Sequence, residues 1–225
     1  MGNHLPPLIH AYVQRYVPET LRGLRRTTLL HQTGEIRLAP DRDWIPFTAE
    51  QTIESTRTEF VWHARFKMAP LLTGVVEDAF ESGEGRLDAK IWGMIPVAHA
   101  RGVDVDRGEA QRYLSELAWC PTAFELNPEL NYIEVDERTV RVWVHDEQTY
   151  VDLLFGADGE LAGARTTTRV RGDVGPQPWE GHFSEYRDFG GIQAPARGEV
   201  WWDGPDGRFL YWRGEVVQLQ LRESN

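Results

Sequence analysis

Cysteine is nearly missing: Cys120 stands alone in 225 residues. A lone thiol excludes an intrachain disulfide and any cysteine-based zinc site, and it fits a reducing compartment. Long apolar runs are also missing, since no stretch approaches the roughly 20 residues that cross a bilayer. Positive charge is scarce. Against 35 acidic side chains there are 24 basic ones, and a net charge of −11 repels phosphate backbones and anionic lipid, so nucleic acid is excluded as a partner. Residues 1–10 show no basic segment followed by an apolar run, so no secretory signal is expected and cytoplasmic residence follows by elimination.

Reaction signatures are absent as well. There is no Gly-x-Ser-x-Gly elbow, no phosphate-binding glycine loop with Lys and Ser or Thr, and no dinucleotide fingerprint after a strand. His63, His99, His145 and His182 show no metal-binding spacing, so neither a metal nor a cofactor is expected. Cys120, between Trp119 and Pro121 with no positive charge beside it, reads as a small buried hydrophobe and not as a nucleophile. No internal repeat is visible, which excludes propellers and solenoids.

What the chain has is aromatic surface: nine Trp, nine Phe and seven Tyr. Such side chains either fill a thick core or line a cavity. Behind Pro6 and Pro7, the residues Leu8, Ile9, Tyr12, Val13 and Tyr16 recur at helical spacing, and a second short helical segment is expected from Pro18 to Arg26. From Gly34 the apolar period falls towards two. Strands are expected at 44–55, 59–67, 73–81 and 86–94, then at 131–135, 139–145, 150–155 and 161–170, and last at 182–188, 197–202 and 208–221. A glycine and proline loop is expected over 172–179. One internal helix, 107–118, is announced by Asp106 with Glu109 three places on, a variant of the capping box, and is ended by Pro121.

The expected fold is therefore mainly β with short helices. It is a large curved antiparallel sheet, a half-barrel or barrel, of about ten strands. The N-terminal segment 1–30 packs on this sheet, and 31–225 form a single domain closed also by the inserted helix. On that helix Ala110, Tyr113, Leu114, Leu117 and Ala118 share one stripe, while Arg112, Glu116 and Trp119 share the other side. Arg112 and Glu116 are four apart and can pair, either as an exposed ion pair or, if that side faces the sheet, as an ionisable pair beside an aromatic wall. In the second case Glu116 becomes the leading general acid or base, assisted by Arg112 or Tyr113.

The segments Phe47-Thr48-Ala49-Glu50-Gln51 and Phe60-Val61-Trp62-His63-Ala64 carry a resemblance. So do Arg112-Tyr113-Leu114-Ser115-Glu116 with Trp119, Pro121, Thr122 and Ala123, and Tyr186-Arg187 with Gly190-Gly191-Ile192 and Pro195. Through them the chain resembles a bacterial protein family of unknown function over most of Trp44 to Leu221, which implies no activity to carry over. Cys120 departs from the bulkier apolar residue expected in the family's Trp-x-Pro-Thr-Ala segment. The order of N-terminal helix, long meander, inserted helix and second meander is similar to the lipoprotein-carrier half-barrels, whose concave sheet holds acyl chains under helices. The chain departs from those carriers in showing no export signal.

Together these readings lead to a binding module for a small apolar molecule, lipid-like or polycyclic, lined by Trp62, Trp92, Trp119, Trp143, Tyr186 and Trp202. A cofactor-independent cyclase, isomerase or hydrolase is the alternative, and a protein-interaction module with a flat aromatic patch and no cavity is a third.

Overall fold

The structure, a computed structural model, describes residues 5–69, 72–91, 95–205 and 207–223. Helix α1, Pro7–Tyr16, starts on the proline that suits a first helical turn and buries Ile9, Tyr12, Val13 and Tyr16. A single 3-10 turn, Glu19–Leu21, follows. Six strands then succeed one another: β1 Arg26–Ile36, β2 Ile45–Glu54, β3 Phe60–Ala69, β4 Leu72–Glu81, β5 Glu84–Ile91 and β6 Ile95–Ala100. Helix α2, Val103–Ser115, runs into a 3-10 turn, Glu116–Trp119, and a short helix α3, Ala123–Leu126. The second meander consists of β7 Asn131–Asp136, β8 Thr139–Trp143, β9 Tyr150–Phe155, β10 Leu161–Val170, β11 Pro176–Phe189, β12 Ile192–Gly204 and β13 Gly207–Glu223.

Among the described residues these strands make one 13-stranded antiparallel sheet in the order β6-β5-β4-β3-β2-β1-β13-β12-β11-β10-β9-β8-β7. The sheet is not closed, because β6 and β7 end it without pairing to each other. The last strand returns to the first at the centre, so β1 pairs with β2 on one side and β13 on the other. Local sequence sets the faces. In β2, Phe47, Ala49, Gln51 and Ile53 are turned in and buried, while the residues between them are more exposed.

Several expectations need correction. The N-terminal helical segment is shorter than 1–30, because β1 begins at Arg26, where Thr27 and Thr28 are β-branched and both edges of the strand find partners. β1 and β6 add to the expected set. The stretch expected as a loop over 172–179 holds a 3-10 turn, Gly172–Val174, and already enters β11 at Pro176. Helix α2 starts at Val103, not at residue 107, with Asp104 and Asp106 in a first turn that favours acidic groups, and its α-helical part ends at Ser115. Asp106 does not cap it. Its Oδ1 accepts the Gly85 backbone N–H at 2.7 Å, tying the helix to the β4–β5 hairpin. Gly85 permits this contact, since a Cβ there would lie 2.7 Å from the Val105 carbonyl oxygen.

The sheet's interior holds a row of glycines. Register aligns Phe66, Phe47, Gly34, Gly214, Gly198 and Phe183 across β3, β2, β1, β13, β12 and β11. Paired residues share a face, so three adjacent strands present bare backbone between phenylalanines. The Trp212 ring covers Gly214 and stacks on Phe47 at 5.9 Å, and the Trp119 ring stands over Gly198. A Cβ on Gly34 would lie 2.4 Å from the Arg213 carbonyl oxygen and 2.7 Å from Phe47 Cζ. Gly34→Ala is therefore expected to lower stability by about 1–3 kcal/mol in urea titrations, because a backbone atom blocks the new methyl group.

The concavity is shared between two occupants. α1 docks with Tyr12 edge-on to Phe124 and Phe155, and that end is solid. α2 bridges the two arms of the sheet, packing on β4 and β5 on one side and on β9 and β10 on the other.

Candidate functional site

Between α2 and the glycine row lies a hollow of about 650 Å³, within the range of small-molecule sites. Trp62, Phe66, Val76, Trp179, Phe183 and Trp212 supply apolar walls, and Trp119 divides the hollow from the packed end. Leu38 and Val97, 73% and 56% exposed, stand at its open side.

The polar groups are gathered under α2. Arg112 lies between the Phe60 and Trp62 rings at 4.9 and 4.8 Å from their centroids. Its Nε donates to Glu116 Oε1 at 2.9 Å and its Nη1 to Asp78 Oδ2. The three side chains are only 10–15% exposed. Glu116 Oε2 also accepts from Gln51 Nε2, Gln51 Oε1 accepts from Gln32 Nε2 at 3.3 Å, and Gln32 Oε1 accepts from Trp62 Nε1 at 2.9 Å. A continuous chain of hydrogen bonds thus runs from a wall tryptophan to the ion pairs. Burial works against the charge on Arg112, but Glu116, Asp78 and Glu109 outweigh it and hold the guanidinium above its ordinary range.

Glu109, one turn before Arg112, is buried at the same end. Desolvation first, and the Asp78 carboxylate second, push its carboxyl well above the usual range, against the pull of Arg169 and Arg112. Glu109 thus keeps its proton to higher pH than an exposed glutamate does. A carboxyl that keeps its proton only when folded loses native stability as pH rises from its unfolded value through its folded one. Glu109→Gln, neutral at every pH, should therefore match wild type in thermal unfolding near pH 4.5 and exceed it increasingly towards pH 8, reaching a plateau once Glu109 is ionised.

The expected site residues separate into two groups. Arg112, Glu116, Trp62 and Trp119 all line the hollow. Tyr113 points the other way: it is fully buried, donates to the Glu54 carbonyl at 2.9 Å and accepts from Asn127 at 3.0 Å. Tyr186 serves the packed end, donating to the Leu161 carbonyl at 2.9 Å and stacking on Tyr16. Trp202 belongs to a satellite cluster with Trp179 and Phe209, and Trp143 is half-buried on β8 away from the hollow. Trp92 lies outside the described residues. The groups not anticipated are Asp78, Glu109, Arg169, Trp179, Phe183 and Trp212. Among the described residues no cluster of His, Cys, Asp and Glu has the makings of a metal site, and no helix is long and apolar enough to cross a membrane.

The family DUF6544, described as a family of unknown function, matches residues 1–214. The chain belongs to that family. This DUF6544 chain matches no curated protein sequence. Two solved structures are similar to it. One is a LolA superfamily protein from Nitrosomonas europaea, 9% identical, with a TM-score of 0.50 over 97% of this chain and 93% of that one. The other is a putative outer membrane lipoprotein-sorting protein domain from Vibrio parahaemolyticus, 7% identical, with a TM-score of 0.51 over 97% and 92%. At such low identity they show the fold alone, which this chain shares with them.

Proposed function

We propose that the protein binds a small, largely apolar molecule, lipid-like or polycyclic, in the hollow between α2 and the concave sheet. The observation that carries this reading is the unequal filling of one interior. Around α1 the aromatic side chains interlock, whereas beyond Trp119 they stand back as walls around about 650 Å³. Packed interiors hold few voids larger than a water molecule, so a space of this size and lining suits a ligand. The likeness to a putative lipoprotein-sorting protein domain supports a lipid-like occupant.

Native mass spectrometry of freshly purified protein tests it. A retained small molecule is expected on wild type and is expected to be lost in Val76→Trp, which places an indole in the hollow from β4. Ligand-free wild type that also takes up no added alkyl chain would overturn the reading.

One observation favours a second reading, a cofactor-independent enzyme. Glu109, whose carboxyl keeps its proton to higher pH than usual, lies beside Asp78 at one end of an apolar chamber, and two carboxyl groups placed together suit acid and base catalysis. An enzyme of this kind keeps substrate binding and loses turnover in Glu109→Gln, whereas a pure binding protein has no turnover to lose. Trp62, Trp119, Trp179 and Trp212 surround a hollow, which supports binding inside it over docking on a flat patch.

A further inference from the structure

Asp78 and Glu109 are 7% and 6% exposed and line the same hollow. Arg112 occupies Asp78 Oδ2, but Asp78 Oδ1 and Glu109 Oε2 are buried and receive no hydrogen bond from a donor group among the described residues. Facing acceptors of this kind are tolerated only with something positive or donating between them. Asp78 is one of the groups that strengthen the hold of Glu109 on a proton.

We propose that the hollow takes a cationic amphiphile, an alkyl chain or ring system ending in an amine, whose ammonium group donates to the unpartnered oxygens of Asp78 and Glu109. The proposal rests on the hollow being an apolar ligand site and adds the chemistry of the ligand's head. The step balances: the ammonium enters with its positive charge, a proton held by Glu109 passes to water, and no covalent bond to carbon changes.

Charge at this end of the hollow sets the preference. Arg112 on α2 and Arg169 on β10 bring two positive charges, and Asp78, Glu116 and an ionised Glu109 bring three negative ones. One further positive unit, proton or ammonium, makes the count even. A carboxylate or phosphate head would instead add a negative charge where the cations Arg112 and Arg169 are already engaged. Other groups around Glu109 leave the balance alone. Lys90 on β5, His182 on β11 and Glu199 on β12 line the hollow but are exposed, so water and salt screen them. Asp152 on β9 is held by Arg141 at 2.7 and 3.0 Å, and Tyr211 on β13 is a phenol that accepts from Trp179 Nε1 at 3.0 Å.

The test is calorimetric titration of wild type with dodecylamine, dodecanol and dodecanoate at pH 7, and with dodecylamine also at lower pH down to 5, below their micelle concentrations, in buffers of different ionisation enthalpy. The amine is expected to bind at least about tenfold more tightly than dodecanoate at pH 7 and to release protons within the pH range tested, while dodecanol binds without proton release. Glu109→Gln should abolish the release and narrow the preference. Dodecanoate binding as tightly as the amine, dodecanol binding more tightly than the amine, or an amine that binds without releasing a proton would each overturn the proposal. If dodecanol and dodecanoate bind and the amine does not, the head-group inference alone falls. If none of the three binds, the apolar site falls with it. The wild-type measurements decide the matter even where a variant fails to fold.

Discussion

Replacing Arg112 by Met is expected to cost about 3–5 kcal/mol in chemical denaturation, because it strands buried carboxylates that the guanidinium neutralises. Arg112 pairs with both Asp78 and Glu116, and it lies against the Phe60 and Trp62 rings. Met replaces much of the packing volume and none of the charge. If stranded charge is the cause, the triple variant with Asp78→Asn and Glu116→Gln should recover most of the loss, since neutral isosteres leave nothing uncompensated. A triple variant no more stable than Arg112→Met would show instead that the ring contacts carry the effect.

Trp119→Ala should be of similar size, about 3–5 kcal/mol, as for other buried large-to-small changes. Its indole is 3% exposed, meets Phe183 edge-on at 5.4 Å and donates Nε1–H to the Pro195 carbonyl at 2.8 Å. Removing it opens a void and leaves that carbonyl without its partner. The same indole forms the partition between the packed end and the hollow, so the change also lengthens the binding space. Urea unfolding measures the stability loss, and the longest alkyl chain retained by the variant, compared with wild type, measures the loss of the partition.

The legible parts of the fold were those with a local pattern. β2 and β9 are marked by alternation or by β-branched runs, and α1 by its proline start. β1 escaped because Arg25-Arg26 continues a basic stretch that reads as helix, and its strand state is imposed by β2 and β13 from both sides. β6 carries Pro96 and is almost wholly exposed, features of an edge strand that weaken any alternation. At the site, the Arg112–Glu116 pair was visible because helical spacing alone places it. Asp78 and Arg169 come from strands on opposite arms of the sheet and meet α2 only after the chain folds, so no spacing announces them. Glu109 had a plausible local role as a capping partner, and that role concealed its position in the hollow. Which tryptophans face inward depends on register, which composition does not contain.

Soaking crystals with 12-bromododecanol and locating the bromine by anomalous diffraction tests directly whether the concave face holds an apolar ligand. An anomalous peak is expected inside the space bounded by Trp62, Trp179 and Trp212, with the alkyl chain running beneath α2. Saturated crystals with bromine only on the outer surface, or none at all, would contradict the account.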